Sequence, residues 1–369
     1  MIGKITVLLI LLPLSGLSYS YENDSFFKAA QTGNIMKMRG MITFMGVDVN
    51  FQSERPGIAG RTALHIAADK RQYDVVAYLL EKGADPNIKD KYGNPPLKFA
   101  VRNIKITKLL VESGAVINDR GERGSSSLTY AKATNSLDSL SFLISKGANV
   151  NADSILCFSG YKKKLIKTAE ILIRSGSKIN TVYENGWSPL HCASRNNEYL
   201  TSYLISVGAD VNIRGENGET PLFVAAFNTI PTLVEKGANL EIVDDLGNTP
   251  IFSLVFKRKR VAALIEAGAN VNHINKYGVS PLIAQALRNS DPKILKLLLD
   301  AGADKYHRVT TAQINDYKRA SSSNGRYNKY DSSRDVHSAY DIYKDVFEKK
   351  YKQDKNPIYK SVLDRLAAE

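Results

Sequence analysis

Along most of this chain, two apolar stripes with helical spacing alternate with short polar turns, and the pair recurs. Arg61 to Gly93, RTALHIAADKRQYDVVAYLLEKGADPNIKDKYG, is the clearest copy. Leu64, Ala67 and Ala68 fall on one face of a first helix, where the small alanines let a neighbouring helix approach closely. Val75, Val76, Leu79 and Leu80 form the stripe of a second helix. Thr62 is placed to cap the first helix, and Gly83 to end the second in the left-handed conformation that glycine adopts without steric cost. Asp85, Asn87, Asp90 and Gly93 then supply turn residues for a hairpin-like finger.

The closing glycine returns at Gly83, Gly114, Gly147, Gly176, Gly208, Gly237, Gly268 and Gly302, at intervals of 29 to 34 residues. Seven of the eight precede Ala, Gly176-Ser177 being the exception. A hydroxyl followed by proline opens the first helix at Ser188-Pro189, Thr220-Pro221, Thr249-Pro250 and Ser280-Pro281, a sound helix start because Pro at the first helical position loses no hydrogen bond. A helical pair of this size cannot bury its apolar face alone, so the copies must stack into an elongated solenoid. Two copies are degenerate. Ser154 to Gly176 lacks the proline and carries a basic insertion, and Thr220 to Gly237 is short enough to cost its second helix a turn.

These units resemble the ankyrin repeat, whose hallmarks stand here as Thr62-Ala63-Leu64-His65, Ser188-Pro189-Leu190-His191 and Gly83-Ala84-Asp85-Pro86-Asn87. The resemblance covers about eight copies over residues 61–305, and residues 21–60 look like a capping repeat, carried by Phe26 to Asn50. It implies an all-α fold, an ankyrin-repeat solenoid of stacked helix-turn-helix units with hairpin-like fingers. It also implies hydrogen-bonding structural roles for His65 and His191, and a non-enzymatic scaffold that binds another protein through its finger and first-helix surface. Ankyrin repeats in animals are mainly intracellular, so an export signal on a Lys- and Asn-rich chain leans towards a bacterial source. A host-directed secreted factor is the related alternative.

The ends depart from the period. Residues 1–20 pair Lys4 with the apolar run Ile5–Leu12 and a small-residue cleavage pattern at Ser18-Tyr19-Ser20. This is the layout of a secretory signal peptide cut after Ser20, placing the protein in the periplasm or outside the cell; an uncleaved anchor is the alternative. The mature chain has no expected transmembrane span and is expected to be a monomer. Residues 306–336 read as a flexible polar segment. Residues 337–369 read as a helical cap, from Tyr340, Tyr343, Val346 and Phe347 and then Ile358, Val362, Leu363 and Leu366. An enzymatic activity housed in 306–369 is the rival from a different class.

Charge changes the picture in two places. The formal charge of +13 becomes +12 once Lys4 leaves with the leader. Two basic clusters, Lys162-Lys163-Lys164 with Lys167 and Lys257-Arg258-Lys259-Arg260, fall between the first and second helices of their repeats. They are either solvated turns or a contact for an anionic partner such as phospholipid, lipopolysaccharide or an acidic protein. Nucleic acid is not expected, because export removes the protein from it and no aromatic interleaving accompanies the basic residues. Cys157 and Cys192 are expected as two free buried thiols, since equivalent first helices lie roughly 10 Å apart. Export makes a bridge between them the alternative.

The five histidines match no metal-ligand or nucleophile pattern, and no catalytic, cofactor-binding or metal-binding residues are expected. The candidate contacts are aromatic. Tyr92 and Tyr277 precede the turn glycines of their fingers, Tyr183 lies three before Gly186, and Trp187 follows that glycine. Large rings on exposed turns provide contact area at low entropic cost, while the competing reading is that each packs on its neighbouring finger.

Overall fold

In most periods two helices form where the stripes place them. The computed structural model describes residues 17–121, 124–152, 154–158, 165–252, 258–288, 291–321, 336–354 and 357–367. The chain divides into two compact units, Met1–Ile155 and Leu156–Glu369.

In the first unit the helices run α1 (Leu17–Thr32), α2 (Ile35–Met45), α3 (Ala63–Asp69), α4 (Tyr73–Glu81), α5 (Pro96–Ala100), α6 (Ile104–Glu112), α7 (Ser127–Thr134) and α8 (Leu137–Ser145). First helices α1, α3, α5 and α7 pack in one row, and second helices α2, α4, α6 and α8 in another. Leu64, Ala67, Ala68, Val75, Val76 and Leu79 are buried between the rows. The leader expectation lies almost wholly outside the described residues, which begin with α1.

The second unit contains α9 (Leu165–Arg174), α10 (Pro189–Ser194), α11 (Glu198–Ser206), α12 (Pro221–Val224), α13 (Ile230–Glu235), a 3-10 turn (Pro250–Phe252), α14 (Arg258–Glu266), α15 (Pro281–Arg288) and α16 (Pro292–Asp300). After them come β1 (Arg308–Thr310), α17 (Thr311–Ala320), β2 (Val336–Ser338), α18 (Ala339–Asp354) and α19 (Pro357–Ala367). The second-helix row is α9, α11, α13, α14, α16 and α19. The first-helix row is α10, α12, the 3-10 turn, α15 and α18. Leu190 and Leu222 are buried like Leu64. Helix α13 has six residues where α11 has nine, so the short copy does lose most of a turn.

The eight closing glycines all take φ between +85° and +101°. Beyond them, a ladder of asparagines staples most fingers to the next repeat, Glu241 taking the place in one. Asn87 donates through Nδ2 to the Gly114 carbonyl at 3.0 Å and accepts the Val116 amide at 2.8 Å. Asn118, Asn180, Asn212 and Asn272 make the same two bonds one repeat on each time. Turn preference accounts for Asn at these sites, but their second function is to satisfy backbone groups of the neighbour.

The expectation of a flexible segment over 306–336 is corrected for residues 306–321. The Thr310 hydroxyl accepts the Gln313 amide at 3.1 Å, and Gln313 accepts the Thr310 amide at 2.8 Å, so a reciprocal capping box starts α17. Strands β1 and β2 pair antiparallel, Arg308 opposite Ser338, which closes the insertion at its base. Tyr317 on α17 is buried. Residues 322–335 lie outside the described residues. Helix α18 then packs on α15 and α19 on α16, extending both rows by one pair. Tyr343 is buried there, and its hydroxyl donates to the Leu282 carbonyl at 3.3 Å.

Candidate partner-binding surface

Two of the candidate finger tips are organised by one turn residue. The Asp90 carboxylate accepts the amides of Tyr92 and Asn94, both at 2.9 Å, which lifts Tyr92 onto the tip. Tyr92 is 48% exposed, with the Lys91 ammonium 5.2 Å from its ring centre. Asn275 builds the same turn for Tyr277, but that ring lies half-buried, 6.0 Å from the ring of Tyr317. Tyr183 occupies the position of Asp90 itself. Its hydroxyl accepts the Leu156 amide at 3.2 Å, and burial raises its phenol above the usual range. Trp187 donates its backbone amide to Asn185 at 3.1 Å, and its half-buried ring lies 5.3 Å below the Arg195 guanidinium. Of the four aromatics, Tyr92 is therefore open and Trp187 partly so, whereas Tyr183 and Tyr277 are engaged within the fold.

The histidines are structural. The Thr62 amide donates to His65 Nδ1 at 3.1 Å, so the ring proton resides on Nε2, which donates to the Asn94 carbonyl of the next finger at 3.0 Å. His191 repeats this with Ser188 and Glu219. Burial, against smaller raising effects of the Asn94 carbonyl and Asp90, lowers His65 to about 4, and burial lowers His191 in the same direction. His273 and His307 bond the carbonyls of Gly247 and Gly278, and His337 bonds Thr311. Among the described residues no group of three His, Cys, Asp or Glu side chains could hold a metal ion, and no helix is long and apolar enough to cross a membrane.

The expectation of two free thiols is overturned: Cys157 and Cys192 are joined, with Cα atoms 5.3 Å apart. Helix-to-helix spacing does not apply here, because residues 154–158 form a turn and an irregular stretch where a first helix would stand. Without a helix's width, the backbone comes close enough to α10 for a bridge. Tyr183 braces the same stretch through Leu156.

A second correction concerns Arg260, assigned above to a solvent-facing basic cluster. It is only 8% exposed, and its guanidinium donates to the carbonyls of Phe223 and Leu222, the latter at 2.9 Å. Helix α12 is four residues long and turns extended at Ala225, leaving its last carbonyls without intrahelical partners. Arg260, from the next repeat, supplies them. Burial lowers its pKa to about 10, opposed by the charge of Glu219.

The rest of the basic residues divide. Lys162, Lys163, Lys164 and Lys257 lie outside the described residues. Lys167 is exposed on α9. Arg258 and Lys259 are exposed in the first turn of α14, where cations oppose the helix dipole, so they do not serve that helix. Both line an open cleft of about 640 Å³ together with Arg195, Phe227 and Asn228. Lys259 sits 5.0 Å over the Phe227 ring. Sequence reading passed over Arg195 and Phe227; the available signal was a large apolar residue in a turn that is polar in the better-formed copies.

The family model described as "Ankyrin repeats (3 copies)" matches at residues 7–90, 26–121, 156–244 and 228–309. The human transient receptor potential cation channel subfamily A member 1 is 30% identical over 198 residues, 48% of this chain and 17% of the channel. The chicken nuclear factor NF-kappa-B p105 subunit is 29% identical over 162 residues, 41% of this chain and 16% of that protein. The fowlpox virus ankyrin repeat protein FPV230 is 32% identical over 158 residues, 40% of this chain and 82% of that protein. The chain thus spans less than a fifth of the first two relatives. Ankyrin repeats are in general modules for protein–protein contact, and proteins built from them are generally not enzymes. With matches covering most of its length and the paired rows of helices, this chain belongs to the ankyrin-repeat family.

Proposed function

We propose that this protein is an exported, non-enzymatic scaffold that captures a protein partner through its finger and first-helix surface. The observation that carries this reading is Tyr92. The turn built by Asp90 holds a large ring at the finger tip, nearly half exposed. Trp187 is the second contact, its ring oriented by Arg195. Rings presented this way contribute strongly to interfaces because little side-chain entropy remains to be lost. Export rests on the charged and apolar layout of residues 1–20, and a disulfide between Cys157 and Cys192 is in keeping with an oxidising compartment.

Capture from the producing cell's periplasm and medium, followed by affinity measurements on Tyr92→Ala and Trp187→Ala, tests the binding reading. Each variant should lose on the order of 30-fold in affinity, about 2 kcal/mol, while Tyr92→Ala keeps the wild-type melting temperature. A partner whose affinity ignores both substitutions would refute the surface. Mass spectrometry of the native protein should find an N-terminus at or near Tyr21, and an intact Met1 on cytosolic protein would refute export.

A further inference from the structure

Arg195 and Phe227 come from the inter-helix turns of two successive repeats and Lys259 from the first turn of α14 in the next, and the fold brings them to the walls of one cleft. One ring, Phe227, stands among its cations. Arg195 lies over Trp187, and Lys259 lies over Phe227, which is 47% exposed. Among the described residues no ion pair engages Arg195, Arg258 or Lys259. The nearby carboxylate of Glu198 accepts from Asn228 at 3.4 Å. A second open cleft of about 450 Å³ shares Arg258 and Lys259 as its wall and adds Lys293 and Lys296, the latter held by Asp300 at 2.6 Å.

We infer that this double cleft is a docking groove for an acidic, extended protein segment carrying an apolar side chain. Charge complementarity identifies the acidic part, because four cations face open space and, among the described residues, no carboxylate forms an ion pair with Arg195, Arg258, Lys259 or Lys293. The apolar part follows from Phe227, an exposed ring flanked by Ala226 that a free phosphate would leave uncovered. The extended form follows from two adjacent clefts that share Arg258 and Lys259 in their walls, which one small anion cannot fill together. A flat lipid surface would meet the rims and leave the concave floor unfilled. The inference deepens the scaffold reading by naming a partner class. It depends on that reading only in requiring a protein ligand, and uses residues remote in sequence from Tyr92.

The test pans a random heptapeptide display library against the full-length oxidised protein and against Arg258→Glu/Lys259→Glu. Wild type should enrich peptides with Asp or Glu around one Leu, Ile or Phe. The synthesised consensus should bind about tenfold more weakly to the variant, and about tenfold more weakly when salt rises from about 50 to about 300 mM. Arg258→Gln/Lys259→Gln should lose affinity in the same direction at an unchanged melting temperature. Binding should also shift the emission of Trp187, the chain's one tryptophan, through Arg195. Enrichment without acidic bias, equal selection by the Glu variant, or binding to phosphatidylglycerol vesicles with no peptide consensus would each overturn the groove. If acidic peptides depend on Arg258 and Lys259 while Tyr92→Ala leaves the captured partner's affinity unchanged, the groove stands and the finger surface falls.

Discussion

Helices α3 and α4 have seven and nine residues, end in regular caps, and are joined to the next repeat by His65 and Asn87. The copy beginning at Ser154 has an irregular stretch over residues 154–158 where a first helix would stand, and the next but one has helices of four and six residues. The regular copies stack through apolar stripes and side-chain-to-carbonyl bonds that recur from repeat to repeat. The irregular ones replace missing helical turns with long-range attachments: the Cys157–Cys192 bridge, the Tyr183 hydroxyl and the buried guanidinium of Arg260. The comparison teaches that a repeat can lose much of a helix if another group satisfies the exposed backbone and holds the segment down. Such attachments also concentrate stability in single side chains.

Breaking the bridge should have the largest effect. It spans 35 residues, for which loop-closure entropy gives about 4 kcal/mol. In Cys157→Ser/Cys192→Ser, hydrogen exchange should rise around residues 154–158 and α10, and stay at wild-type levels over α3 to α6. Equal acceleration in both regions would dissolve the distinction between regular and irregular repeats.

Acid probes the regular unit. His65 is buried neutral with its folded pKa near 4, against 6.5 when unfolded. The unfolded chain therefore takes up a proton first as pH falls, so stability is complete above about 6.5 and declines by up to ~3 kcal/mol towards pH 4. His191 adds a loss of the same sign in the second unit. Denaturant midpoints at pH 7, 5.5 and 4 should fall for wild type and fall less steeply for His65→Gln.

Arg260→Met should cost about 2 kcal/mol by leaving two buried carbonyls unsatisfied, whereas Arg258→Gln two residues away should change stability by less than about 0.5 kcal/mol. Similar melting curves for the two variants would return Arg260 to the solvent-facing cluster. Glycine gives the smallest contrast. Gly83→Ala should cost about 1 kcal/mol from its positive φ alone, since nothing lies within 4 Å of an added Cβ. Gly247→Ala should cost more, because its Cβ would meet the Lys276 amide nitrogen at 2.8 Å.

The period, the helix pairs and the left-handed glycines were legible because each depends on residues within one turn of each other. So was the structural role of His65, through the resemblance of Thr62-Ala63-Leu64-His65. The candidate surface was half legible. Trp187, Arg258 and Lys259 stood out by type and position, but Arg195 and Phe227 gained meaning only beside them. Two assignments failed for one reason. Cys157 was placed at helix-packing distance and Arg260 among solvated charges, because both positions were judged from an ideal repeat.

What the amino-acid order determined by itself was the repeating unit: short-range stripes, caps and turns dictate a helix pair and require a neighbour to cover it. What only the tertiary structure decided was how the defective units are completed and where charge meets aromatic surface. Those outcomes join residues such as Leu222 and Arg260, 38 apart, whose proximity depends on how much helix each repeat lost. No local pattern encodes that distance, because it is set by the width of the packed segments and by the backbone groups they leave unpaired.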